Sequence, residues 1–96
     1  MGSQVFTTVA TATTAAQAFT RAVEDACWQH GNDGYSGSIA EKWEFVMIPC
    51  LPGQTAEDTA NILINRSDPR IDDKWGPAGC IDMGDGDYLF FGWASS

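Results

Sequence analysis

Between positions 31 and 38 the chain reads Gly31-Asn32-Asp33-Gly34-Tyr35-Ser36-Gly37-Ser38, placing three glycines and two serines within eight residues. Glycines this close together let backbone N–H groups approach an anion, and serine hydroxyls add donors. With His30 before it and Lys42 after it, the set Gly34, Tyr35, Ser36, Gly37 and Ser38 is a candidate site for a phosphate or nucleotide. His30 and Glu41 could then serve hydrolysis. Neither GxxxxGK[ST] nor GxGxxG spacing is present, so a plain connection whose glycines allow positive φ explains the same residues.

Cys27, Cys50 and Cys80 show no CxxC spacing, and an odd set of this kind points to a reducing, cytoplasmic setting. Cys27 and His30 stand three positions apart, as neighbours on one helical face do. That pair would suit a thiolate and its base, or part of a zinc site completed by Cys50 and Cys80. Cys27 falls in an apolar stripe, however, and burial opposes thiolate formation. Inert thiols, with no metal and no cofactor, are the expectation. A seryl route through Ser36 or Ser38 lacks the nucleophile-elbow pattern. Asp82, Asp85 and Asp87 alternate with glycines like a fragment of a calcium loop, but the closing glutamate is missing and an acidic turn accounts for them.

A formal charge of −8 on 96 residues repels nucleic-acid phosphate and anionic lipid alike, and no basic stripe offsets it. Direct nucleic-acid binding is not expected, and no apolar run approaches the roughly 20 residues that span a bilayer. Nor does a basic segment followed by an apolar one open the chain. The carboxylates gather late, at Asp68, Asp72, Asp73, Asp82, Asp85 and Asp87, with only Arg70 and Lys74 among them. A protein partner with a basic surface, met by Asp72, Asp73, Trp75, Asp82, Asp85 and Asp87, is therefore the leading functional expectation. The simpler reading is that this charge keeps the domain in solution. Most of the aromatic set Trp28, Trp43, Trp75, Trp93, Tyr35, Tyr88, Phe90 and Phe91 is expected in the core, with Trp75 anchoring its segment there; an excess exposed on one side would mark an interface.

Residues 4–11 (QVFTTVAT) are rich in β-branched side chains and predict a strand. Thr14-Ala15-Ala16-Gln17 has the capping-box pattern, and the stripe Ala15, Ala18, Phe19, Ala22, Val23, Ala26, Cys27 predicts an amphipathic helix to His30. A strand follows over 41–48, ending at Pro49. Thr55-Ala56-Glu57-Asp58 caps a second helix to about Arg66, whose apolar positions Ala56, Ala60, Leu63 and Ile64 share a face. Strand-like runs 78–83 and 88–94 flank Gly84-Asp85-Gly86-Asp87, a hairpin signal. The order β-α-β-α-β-β predicts one α+β domain over residues 1–96, with both helices on one face of a mainly antiparallel sheet.

Three stretches, residues 34–42 (GYSGSIAEK), 73–79 (DKWGPAG) and 88–94 (YLFFGWA), resemble those of small uncharacterised proteins of actinobacterial viruses and their hosts. The resemblance implies a phage-type setting and brings no activity, cofactor or catalytic residue with it. Together these features predict a small acidic, non-enzymatic protein that docks on a host protein, a defence or nucleic-acid-binding protein included, and modulates or inhibits it. The alternative is a phosphate- or nucleotide-binding protein or hydrolase built on the loop from Gly31 to Ser38.

Overall fold

Tyr88-Leu89-Phe90-Phe91 is an apolar run without alternation, and such a strand needs apolar cover on both faces. The computed structural model, which describes residues 3–30, 39 and 42–95, provides it: Leu89, Phe90 and Phe91 are all buried. The elements run β1 (Ser3–Thr11), α1 (Ala15–His30), β2 (Phe45–Met47), α2 (Ala56–Asn65), β3 (Ala78–Gly84) and β4 (Asp87–Ser95). This is the expected β-α-β-α-β-β order in an α+β domain. The four strands form one sheet in the order β1-β4-β3-β2. β4 pairs antiparallel with β1 and β3, while β2 pairs parallel with β3.

The helices lie on opposite faces of this sheet, which corrects the expectation that both share one. Alternate residues of the central strands point to two separate clusters. Ala78, Cys80 and Phe90 join Phe6, Phe19, Ala22 and Ala26 on the α1 side, whereas Ile81, Leu89 and Phe91 join Ala60, Leu63 and Ile64 on the α2 side. On the α1 side the rings of Phe19, Phe45 and Phe90 stand 5.1–5.8 Å apart in tilted or edge-on contacts, the arrangement that ring quadrupoles favour. The parallel β2–β3 pair explains the opposite cover, because its crossover through α2 has to return over the sheet face that α1 leaves open.

Local chemistry fixes the ends of the elements. The Thr14 hydroxyl accepts from the Gln17 N–H at 3.2 Å as the capping pattern predicts, while the Gln17 side chain takes the Thr13 hydroxyl instead of reaching back to the cap. Thr55 caps α2 by accepting from the Asp58 N–H at 3.0 Å. At the other end of α2, Ser67 adopts φ 53°, and the Ser67 and Asp68 N–H groups reach back to the Ile64 and Leu63 carbonyls. That closure normally recruits glycine. The Arg70 guanidinium and backbone N–H bind the Asp68 carboxylate and hold its pKa down at about 2. Asp85 and Gly86, both at positive φ, form the two-residue loop between β3 and β4, which matches the sheet twist.

β2 is shorter than the 41–48 strand expected: only Phe45–Met47 pairs, and Lys42, Trp43 and Glu44 approach it in irregular backbone.

Gly79 sits opposite Phe91 in the ladder, and a Cβ there would lie 2.6 Å from the Phe91 ring and 3.0 Å from Ile71. Neither neighbour has room to retreat, since both are buried. Gly79→Ala is expected to lower unfolding free energy by about 1–3 kcal/mol in urea titration, as overpacking of a filled core does. Adding Phe91→Leu should recover part of that loss; simple additivity of the two losses would contradict this packing.

Candidate functional site

Ile71, at 1% exposure, pins the start of the segment that follows α2 and leaves residues 72–77 to turn at the surface. The turn is tied from inside by Lys42. This lysine is 5% exposed, and its Nζ donates to the Lys74 carbonyl at 3.0 Å and to the Gly76 carbonyl at 2.9 Å. It also lies 5.9 Å from the Phe6 ring centroid, a cation–π distance. Asp73 braces the turn from outside, its carboxylate accepting from the Trp75 N–H at 2.8 Å and its carbonyl from the Gly76 N–H at 2.9 Å.

Lys42 was expected to hold a phosphate. Its ammonium instead serves the protein's own backbone, because a buried cation needs acceptors and two loop carbonyls supply them. The other members of that candidate set, Gly34, Tyr35, Ser36, Gly37 and Ser38, lie outside the described residues, as do Glu41 and the side chain of His30.

Trp75, between the two residues whose carbonyls Lys42 binds, is 59% exposed. This corrects the expectation that it anchors the core. The Lys74 ammonium stands 5.4 Å from its ring. Trp43, the neighbour of Lys42, is 86% exposed, and Trp28, near the C-terminus of α1, is 90% exposed. Only Trp93 is partly buried, packing on the α2-side cluster. Of the aromatic set expected mostly in the core, Phe90 and Phe91 are buried and Tyr88 and Trp93 partly so, while Trp28, Trp43 and Trp75 are exposed and Tyr35 lies outside the described residues.

Strand directions place these indoles. β2 starts beside the start of β3, so Trp43 and Trp75 precede neighbouring strands at the same end of the sheet. α1 begins beside the β3–β4 hairpin and its 16 residues extend about 24 Å, taking Trp28 away from that hairpin. Asp72 and Asp73, both exposed, belong to the tryptophan end. Asp82, Asp85 and Asp87 sit at the hairpin, a strand length of about 20 Å away. The six residues expected to form one partner surface thus divide between two ends of the molecule. The phase of α1 carried a signal for Trp28, which falls outside the apolar stripe. Nothing comparable marked Trp43, since an expected strand there hid its exposure.

At the hairpin end, Thr11, Gln17, Arg21, Asp82, Asp85 and Tyr88 line an open hollow of about 720 Å³. The Asp82 carboxylate accepts from the Gly84 N–H at 2.8 Å, and the Asp87 carboxylate from the Thr11 hydroxyl at 2.6 Å. These acids brace the turn, as ordinary acidic-turn residues do.

The three thiols stand in different settings. Cys80 is fully buried in the α1-side cluster, Cys27 is half-buried on α1, and Cys50 is exposed near the α2 N-terminus, its Sγ 3.0 Å from the Gln54 carbonyl. No three His, Cys, Asp or Glu side chains among the described residues gather to hold a metal ion. Among the same residues, no helix is long and apolar enough to cross a membrane.

No family model, curated protein or solved structure matches this chain. Its functional reading rests on the arrangement of its own side chains.

Burial, with added repulsion from Asp82, pushes the Cys80 thiol from its ordinary 9.0 up to about 12. The unfolded chain therefore loses this proton first, so the associated stability is complete below pH 9.0 and is lost as pH rises towards 12. At pH about 9, iodoacetamide should spare Cys80 in the folded protein and modify it in urea, because only the thiolate reacts. Equal rates in both states, read by peptide mass spectrometry, would contradict this.

Proposed function

We propose that this protein is a small non-enzymatic binding protein, docking through its tryptophan end on a partner protein with a basic surface and modulating that partner. The observation that carries the reading is the exposure of Trp28, Trp43 and Trp75 at one end of the sheet. Exposed indoles lose apolar contact with water when covered, and tryptophan is the residue type most enriched among those that dominate binding energy. Three of them on a 96-residue chain are hard to explain by packing, since the clusters on the two sides of the sheet are built from phenylalanine, aliphatic and alanine side chains without them.

The chemistry of the rim favours a basic partner. Asp72 and Asp73 precede Trp75 in the same turn, and the net charge of −8 would speed the approach of a cationic surface. Arg and Lys side chains of such a partner could also lie over the indole faces. Because Lys42 and Asp73 already brace the Trp75 turn, little ordering would remain to oppose docking. The resemblance to actinobacterial viral proteins suggests a bacterial host protein as the target, with inhibition of a defence or nucleic-acid-binding protein as its consequence.

Affinity purification from such a host, with wild-type protein and with Trp43→Ala/Trp75→Ala, tests the reading. The wild type should retain a basic protein that the variant loses, while circular dichroism shows both equally folded. Capture should weaken steeply from low to high salt. Equal recovery by both proteins, or indifference to salt, would overturn the proposal.

A further inference from the structure

β1 occupies one edge of the sheet, and its nine residues, SQVFTTVAT, contain neither a charge nor a proline. These are the usual devices that keep a sheet edge from pairing with another chain. None of residues 1–20 is charged, although the chain carries 18 charged side chains in all, 5 basic and 13 acidic. The acidic character of the protein therefore stops short of this edge in the sequence.

The register shows which backbone groups are open. β1 pairs with β4 without a break from Ser3↔Ser95 to Thr11↔Asp87, and just beyond it the Ala12 N–H bonds the Gly86 carbonyl at 2.9 Å. Alternation along an antiparallel ladder then turns the even-numbered residues of β1 towards β4 and the odd-numbered ones outwards. Thr11 agrees with this phase, since its carbonyl accepts from the Arg21 guanidinium at 3.2 Å. Val5, Thr7 and Val9 consequently aim their N–H and C=O groups away from β4, and no backbone group among the described residues bonds them. Their side chains share the α2 side of the sheet, opposite Phe6, and there Val5 and Val9 are 38% and 50% exposed.

We infer that β1 is a self-association edge, where a second copy of this chain pairs antiparallel about a two-fold axis at Thr7, joining two four-stranded sheets into one. In that register Thr7 faces Thr7 of the second copy, Val5 faces Val9, and Val9 faces Val5. The three outward residues then form about six inter-strand hydrogen bonds, two for each facing pair. The exposed valines meet as cross-strand β-branched pairs, which stabilise a sheet. The symmetry of Val5 and Val9 about Thr7 is what selects a second copy as the occupant, because an isologous contact needs a self-complementary strand. Head-to-tail addition is disfavoured by the opposite edge, where β2 offers only three residues. Pairing of β1 with β1 also removes the long edge from both copies, so assembly stops at the dimer.

The two-fold contact answers to salt differently from docking on a basic protein. Two bodies of charge −8 repel, so salt should tighten the dimer while weakening the docking proposed above.

The test combines sedimentation over the micromolar to millimolar range with amide hydrogen exchange of the wild-type chain. A dimer is expected at the upper concentrations, with Val5, Thr7 and Val9 amides gaining protection as it forms and Phe6 and Thr8 protected throughout by β4. A monomer at all concentrations would overturn the inference. So would a dimer whose Val5, Thr7 and Val9 amides stay unprotected, which would place the contact elsewhere, or protection of those amides only on adding a foreign peptide. Register is tested by two double variants, V5K/V9K and V5E/V9E, each expected to raise the dimer Kd by about tenfold or more through like charges facing one another. Mixing the two should give a heterodimer tighter than either homodimer, and failure to do so with both variants folded would overturn the register about Thr7.

Discussion

The Lys42 ammonium, buried and bonded to the carbonyls of Lys74 and Gly76, is the contact on which the candidate surface depends. A cation removed from water has to find acceptors inside the protein, and here it finds them in the turn that carries Trp75. It thereby ties the chain entering β2 to the chain entering β3, across 32 and 34 residues of sequence. Trp43 and Trp75 flank that tie, so the two exposed indoles stand beside a hydrogen-bonded anchor on otherwise irregular backbone.

The sheet supplies the frame for this end. β4 is central and buried on both faces, with Phe90 turned to α1 and Leu89 and Phe91 turned to α2. The two layers of the core are built from aliphatic, alanine and phenylalanine side chains, with three tryptophans left outside. Gly79 makes room for the Phe91 ring, so the α2-side layer packs close to the sheet beside the Lys42 turn. The same arrangement leaves β1 covered by α1 on one face and partly bare on the other, because α2 packs against β3 and β4. The tryptophan end and the neutral β1 edge are thus separate consequences of one topology.

Local features were legible in the sequence. Thr14 and Thr55 announced both helix starts, the Asp85-Gly86 pair announced the hairpin, and the stripe from Ala15 to Cys27 marked the buried face of α1. What could not be read were long-range relations. The parallel pairing of β2 with β3, and with it the placement of the helices on opposite faces, depends on which strands meet; the unalternating run Tyr88–Phe91 was the one local hint. The role of Lys42 was hidden for the same reason, since its acceptors lie more than thirty residues away. The acidic residues were recognised as a group, but strand direction sends Asp72 and Asp73 to one end and Asp82, Asp85 and Asp87 to the other.

Nitrogen-15 relaxation of the Trp75 backbone amide and indole, in the wild type and in Lys42→Met, tests the central claim most directly. A turn held by the buried ammonium should give Trp75 order parameters of about 0.85 in the wild type, falling below about 0.6 when the two carbonyls lose their donor. Low order parameters in the wild type, or values unchanged by the substitution in a folded variant, would show that Lys42 does not organise this end of the molecule.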